Sequence, residues 1–279
     1  MGTPYYQKGR GNYCFHSVKY EMPITLTGKN IMVLRPAKQS EQLCKLVIDH
    51  GGVITLFPTI EIKPLENIAS ENLSNLIEWS NLIVVISRNA ARILSALMRN
   101  LNEQVKTKTV FATGSGTADE MRMYGIDSVL FPTAPSGSEG LLQMTDLQAA
   151  KITGKNILIF RGDTGRELLK QVLEERGASV KYAEIYTRVI PEGPKKQVDS
   201  IWETKPPDII VFTSNQGLYN LIKMTPHKYH NKLFSTPFVS MSHRIANTAR
   251  DEGFMKKSVI AETQTDFGLL EAINKNLEL

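Results

Sequence analysis

The side chains able to do chemistry in this 279-residue chain are few, and their spacing suits none of the common mechanisms. Of the five histidines (His16, His50, His227, His230 and His243), only His227 and His230 lie close together, three apart in TPHKYHN. No third ligand is near them, so a solvated loop is expected there and not a metal site. His50 precedes Gly51 and Gly52 at a helix end, where a cation suits the dipole. His243 follows the strand-like TPFVS, at the edge of a possible cleft. Cys14 and Cys44 are too few for a disulfide framework or a thiolate metal site. There is no G-x-x-x-x-G-K-[ST] loop. ATGSGTADE (Ala112 to Glu120) has two glycines of a dinucleotide fingerprint, Gly114 and Gly116, but Asp119 stands where the third belongs.

What the chain offers instead is a collection of donors at the ends of strand-like runs. Arg35 follows one run, Ser87 and Asn89 another, and Gly114, Gly116 and Thr117 a third. Arg161, Gly162, Gly165 and Arg166 form the turn RGDTGR, while Thr213, Ser214, Gln216 and Gly217 lie in TSNQG. Ser242 and Arg244 flank His243, and Ser138 opens a further helix-like stretch. In open α/β sheets ligands bind beyond the carboxyl ends of the strands, which is where all these loops fall. Amides, hydroxyls and a few guanidinium groups suit a multiply anionic ligand. They do not suggest hydrolysis by a triad or a metal.

The elements that must position these residues come from a repeat. TGKNIMVLRP (Thr27 to Pro36) recurs 126 residues later as TGKNILIFRG (Thr153 to Gly162). In the same register Gly51 falls on Gly177, and LIVVIS (Leu82 to Ser87) on DIIVFT (Asp208 to Thr213). Short aliphatic runs such as NIMVL, LIVVI, TVFAT, NILIF, DIIVF and TPFVS read as strands covered on both faces. Helical patterns separate them, over 39–49, 89–101, 165–176 and 216–223, and a capped helix beginning at Thr265 or Asp266 closes the chain. The fold class is therefore α/β, two similar parallel-sheet units at roughly 27–150 and 153–279, with exchange of first strands between copies allowed. VITLFPTIEI (Val53 to Ile62) and VKYAEIYTRV (Val180 to Val189) run past the expected unit edges, as two strands of a connector would, with Tyr186 beside the cleft.

Composition agrees with this and excludes other classes. At 42% apolar and 22% charged the chain is not disordered, and no apolar run approaches a membrane span. The net charge of +5, without a basic run carrying interleaved aromatics, argues against nucleic acid as partner. Residues 1–21 lack both an apolar signal core and periodicity, and are expected to be a disordered or loosely docked extension. A non-enzymatic binding protein for an anionic small molecule would share the same junctions.

Several stretches together resemble the uroporphyrinogen-III synthase family. They are LRP (Leu34 to Pro36), SRNAARIL (Ser87 to Leu94), FATGSGTADEMRMYGI (Phe111 to Ile126) and PSGSEGLL (Pro135 to Leu142). The longest is ILIFRGDTGRELLKQVLEERGASVKYAEIYTRVIP, from Ile157 to Pro191. VFTSNQGLYNL, VSMSHRIANTARDEGF and AETQTDFGLLEAI complete the series through Ile273. No one motif is decisive; their order and spacing are specific.

The resemblance implies two Rossmann-like domains, about 24–60 plus 190–279 and about 65–185, with the active site in the cleft between them. Strands at about 54–63 and 181–190 would form a two-stranded ladder joining the domains. It implies conversion of hydroxymethylbilane, a linear tetrapyrrole with eight carboxylates, into uroporphyrinogen III with loss of water and inversion of ring D, without metal or cofactor. Tyr186 falls on the family's connector tyrosine, Thr117 with Gly114 on its threonine turn, and Ser214 on its late serine. Two departures stand out: SHRIA puts Arg244 and Ile245 where many members hold threonines, and Ile86 replaces a threonine before Ser87. A cytoplasmic monomer is expected, in transient contact at most with the upstream bilane-forming enzyme.

Overall fold

The computed structural model describes residues 24–65, 70–97, 102–165, 167–256 and 258–278; the extension at 1–21 and the candidate Arg166 lie outside them. Eleven strands are present among the described residues. In chain order they are β1 (Asn30–Val33), β2 (Val53–Leu56), β3 (Glu61–Pro64), β4 (Leu82–Val85), β5 (Thr109–Ala112) and β6 (Val129–Leu130). β7 (Asn156–Gly162), β8 (Ser179–Val189), β9 (Ile209–Phe212), β10 (Phe238–Ser240) and β11 (Ser258–Ile260) follow.

They form two sheets, one in the order β11-β10-β9-β1-β2 and one in the order β3-β8-β7-β4-β5-β6. Every pairing is parallel except β3 with β8. The two copies of the repeat have exchanged strands. β1 and β2 of the first copy join β9, β10 and β11 of the second, while β7 and β8 of the second join β4, β5 and β6 of the first. Both sheets thus reverse strand order at a matching place, between β1 and β9 and between β7 and β4.

The repeat is legible down to single hydrogen bonds. The Gly28 amide donates to the Gly51 carbonyl at 3.1 Å, and Gly154 to Gly177 at 2.8 Å. Val53 then donates to Lys29, and Ser179 to Lys155, setting the first pairing of each sheet. Gly51 and Gly177 hold φ of +83° and +85°, a left-handed conformation in which a Cβ meets its own carbonyl. An added Cβ would also approach the side chains of Thr27 and Thr153 to 3.2 Å. These two turns end the preceding helices and aim β2 and β8.

Each sheet is covered on both faces, as its near-continuous aliphatic strands require. Alternation along β1 sends Ile31 and Val33 toward Leu43, Val47 and Leu269, and Met32 toward Ile210, Phe212 and Trp202. In the second sheet Leu158 and Phe160 pack with Ile83 and Ile185, and Ile157 and Ile159 with Leu169 and Leu173.

The ladder is shorter than the expected 54–63 and 181–190. In the 53–62 segment the strand ends at Leu56, although the Phe57 and Thr59 amides still donate to Val33 and Leu34 on either side of Pro58. Only Glu61–Pro64 pairs antiparallel with Tyr186–Val189. Residues 179–184 of β8 pair parallel with β7. Around His227 the expected solvent exposure is present at His227 and Lys228, but not as a loop. A turn of 3₁₀ helix at His227–Tyr229 runs into the helix His230–Phe234, with the His230 ring bonded to the Thr225 carbonyl and packed on Phe234.

Gly51→Ala and Gly177→Ala should each lower stability by about 1–2 kcal/mol, the cost of forcing an L-residue into the left-handed region. Urea denaturation of the two variants checks this, and equal losses would show that the copies carry equivalent turns.

Candidate functional site

The carboxyl ends of β1, β4 and β9 are bracketed by helices that begin immediately after them. Ser87 accepts a hydrogen bond from the Ala90 amide at 3.0 Å, opening the helix Arg88–Leu97. Ser214 accepts from Gly217 at 3.0 Å, opening Asn215–Met224, and Ser242 accepts from Ile245 at 3.4 Å, opening His243–Asp251. Each serine satisfies an amide that the first turn leaves without an intrahelical partner. Two buried polar atoms beside the 215–224 helix start, Thr59 Oγ1 and Asn215 Oδ1, have no protein partner.

Three contiguous cavities occupy this region. One of about 460 Å3 is walled by Pro36, Pro58, Ile60, Ile62, Ile93 and Pro191, with Lys38 and Arg92 at its edge. A second, of about 300 Å3, is bounded by Arg35, Ile62, Arg188, Thr213, Ser214 and Gly217. The largest, about 730 Å3, is lined by Arg35, Lys38, Arg88, Arg92, Asp266 and Phe267. Gln39, from the helix after β1, and Asn89, from the helix after β4, border all three and are hydrogen-bonded to each other at 3.1 Å.

The cations here are of two kinds. Arg35 is committed to Asp266 at 2.6 Å, and Arg92 to Glu120 at 2.8 Å, a bond that holds the Arg92 pKa above its ordinary value. Among the described residues Lys38, Arg88 and Arg188 have no carboxylate in ion-pair contact. Arg88 lies flat against Gly116, where an added Cβ would stand 2.3 Å from the guanidinium.

Tyr186 is only 1% exposed and lines none of these cavities. Its hydroxyl lies 3.2 Å from Ser87 Oγ and accepts from Arg188 Nη2 at 3.2 Å. Its ring rests on Gly162, where a Cβ would come within 2.7 Å of ring carbons.

The candidates read from sequence therefore divide. Arg35, Asn89, Thr213, Ser214 and Gly217 line the cavities, and Ser87, Gly162 and Tyr186 make the wall behind Arg188. The remaining described candidates border none of them. Arg161 is 3% exposed, bonded to Glu167 at 2.8 Å and stacked on Tyr182, with Gly165 pressed beneath its guanidinium. Burial, then the bond to Glu167, pushes the Tyr182 phenol up to about 12, while that bond and Arg161 hold Glu167 low. Gly116 touches the site through Arg88, Gly114 faces Ser136, Thr117 is buried, and Ser138 begins the helix Ser138–Gln143. Gln216 bonds Asn220, Ser242 is a cap, and Arg244 is exposed on its helix.

Lys38, Gln39, Arg88, Arg92 and Arg188 were missed, though the spacing of the three arginines left a signal. Arg88 and Arg92 are four apart in SRNAARIL and so share one helix face. Arg188 is two residues beyond Tyr186 in an alternating strand and so shares its side.

Comparison with known proteins bears on this arrangement. The family model described as uroporphyrinogen-III synthase HemD matches residues 41–271. The uroporphyrinogen-III synthase of Salmonella typhimurium is 31% identical over 249 residues, 88% of this chain and 99% of the relative. That of Escherichia coli is 29% identical over 248 residues, with the same coverage. Among solved structures, uroporphyrinogen-III synthetase from Helicobacter pylori superposes with a TM-score of 0.60 at 14% identity, over 88% of this chain and 99% of the other. A uroporphyrinogen III synthase mutant from Thermus thermophilus gives 0.57 at 14% identity, over 90% and 99%. The last two likenesses speak for the fold.

Gly162→Ala should lower stability by about 1–3 kcal/mol, because the buried Tyr186 ring has no room to retreat. Gly193→Ala, where nothing lies within 4 Å, should change it by less than about 0.5 kcal/mol. Denaturant unfolding of both variants measures the contrast.

Proposed function

The chain belongs to the uroporphyrinogen-III synthase family of tetrapyrrole biosynthesis, and from that premise we propose that it closes hydroxymethylbilane to uroporphyrinogen III with inversion of ring D. The observation that carries this reading is the pairing of a largely apolar chamber with an adjoining one where, beside Glu41 and the paired Arg35, Arg92 and Asp266, two cations, Lys38 and Arg88, have no carboxylate partner among the described residues. A linear tetrapyrrole has the matching character, with flat apolar pyrroles and a rim of carboxylates. Pro36, Ile60, Ile62 and Pro191 face the rings in this reading, and Arg88, Lys38 and Arg188 face the rim.

The reaction begins when the bilane's hydroxyl takes up a proton and departs as water, the pyrrole nitrogen supplying electrons to give an azafulvene. The substituted carbon of ring D attacks the azafulvene carbon, forming a spirocyclic pyrrolenine. Cleavage of the older bond and reclosure at the free position leave ring D inverted. Closure without a protein gives the uninverted isomer, so the catalyst must govern geometry more than reactivity. Fixing the carboxylates in a cleft between two Rossmann-like domains does this, and excluding water protects the azafulvene. The wall of Ser87, Tyr186 and Arg188 meets the substrate through Arg188, which lines the second cavity. No step in this sequence calls on a cofactor. We place the reaction in a cytoplasmic monomer that receives its unstable substrate directly from the enzyme that makes it.

Purified protein given freshly generated hydroxymethylbilane should yield the type III isomer on chromatographic separation from type I. Type I alone, at the spontaneous rate, would rule the reading out; bound bilane with unchanged products would leave a binding protein. Tyr186→Phe should lower kcat/KM about tenfold or more while the fold is retained. Near-full turnover in that variant would remove this wall from the mechanism.

A further inference from the structure

We infer that Arg188 is the residue this wall presents to the substrate, holding one of the bilane's carboxylates, and that Tyr186 and Ser87 position it. The inference rests on the synthase reading above and assigns a contact within it.

The strand geometry sets the arrangement. Tyr186 and Arg188 are two apart on β8 and project from one side of the ladder, and Arg188 stands opposite Ile62 of β3. Arg188 and Ile62 both line the cavity of about 300 Å3, whereas Tyr186 is buried beneath them. A ligand in that cavity meets the guanidinium before it meets the phenol.

The hydrogen-bond inventory shows what holds the guanidinium. Arg188 Nη2 donates to the Tyr186 hydroxyl at 3.2 Å, and its central carbon lies 5.5 Å from the Tyr186 ring centroid. The same hydroxyl lies 3.2 Å from Ser87 Oγ, which accepts the Ala90 amide at 3.0 Å and is thereby fixed to a helix start. The chain from helix amide to serine to phenol ends on the arginine. Of five guanidinium donors this contact occupies one, leaving a fork that matches a carboxylate.

The charge count in the cavity distinguishes Arg188 from its neighbour. Arg35 is the other cation bounding that space, and Asp266 already neutralises it at 2.6 Å. Arg188 has no carboxylate partner among the described residues. An incoming carboxylate is the group that completes it, and a bidentate Arg–carboxylate pair also fixes orientation. Orientation is what separates the type III product from type I.

A double-mutant cycle tests this, with kcat, KM and the type III to type I ratio measured for wild type, Tyr186→Phe, Arg188→Gln and the double variant. Arg188→Gln should raise KM about tenfold or more and increase the type I fraction, with Arg188→Lys restoring part of both. Tyr186→Phe should act mainly on KM in the wild-type background and cost less than about twofold once Arg188 is Gln. An equal loss from Tyr186→Phe in both backgrounds, or a kcat loss with KM unchanged, would show that Tyr186 works directly and overturn the inference alone. Wild-type KM in Arg188→Gln overturns it as well. A wild-type chain that makes no type III isomer overturns the synthase reading and this inference with it. Thermal unfolding of every variant separates these outcomes from loss of fold.

Discussion

The constraint on which the rest of the structure depends is the exchange of β1 and β2 for β7 and β8 between two copies of one unit. A parallel sheet needs a crossover for each new strand, so a chain that places its first two strands in one sheet must leave it to begin the other. It does so at residues 57–60, and returns after Val189. Because β3 and the end of β8 run antiparallel through four register pairs, the outgoing and returning segments are neighbours. That brings the helix after β1 and the helix after β4 to the same place, where Gln39 and Asn89 meet. Without the exchange each copy would close on itself, and its strand ends would have no reason to face those of the other.

The exchange also determines which charges count. A net charge of +5 says little about a ligand until the pairs are removed. Arg161, prominent in the sequence turn RGDTGR, is spent on Glu167 and Tyr182 within its own sheet. Arg35 is spent on Asp266, across from the first strand to the last helix. Lys38, Arg88 and Arg188 remain, and each reaches the cavities from an element that the exchange placed there.

The fold was legible because its signals are local and doubled. Aliphatic runs, glycine turns and serine caps recur at nearly the same offset, 126 residues at β1 and β7 and 127 at the caps Ser87 and Ser214, and the expected cap at Thr265 holds the last helix through Gly268. The site was legible only where a residue's backbone position decides its role. Ser87, Ser214 and Gly217 sit at helix starts, so a junction rule finds them. For Arg188 and Arg88 spacing gives the face, but whether a partner absorbs the charge depends on tertiary neighbours, and sequence order does not contain that information. The ladder's length was misjudged for a related reason. VITLFPTIEI alternates well enough to be one strand, but its partner changes from β1, last bonded by the Thr59 amide, to β8 from Glu61 onward, and a change of partner leaves no mark in the alternation.

The distribution of the cores bears on how a large ligand reaches such a site. Each buried cluster lies against one sheet: two flank the strands β9, β1 and β10, and two flank β4 and β7. None is made from both. What joins the two halves near the cavities is the peptide at 57–60, the returning chain at 190–191 and contacts such as the exposed Gln39–Asn89 bond. A hydrogen bond of that kind contributes about 0.5–1.5 kcal/mol, whereas removing one large core side chain costs about 2–5 kcal/mol. Losing the Gln39–Asn89 bond therefore disturbs none of the buried clusters, and Lys38 and Arg88, on the two helices it joins, both line the largest of the three cavities. In the proposed reaction a polycarboxylate in that cavity pairs Lys38 from one side and Arg88 from the other, adding charge-assisted bonds where the protein itself supplies one neutral contact.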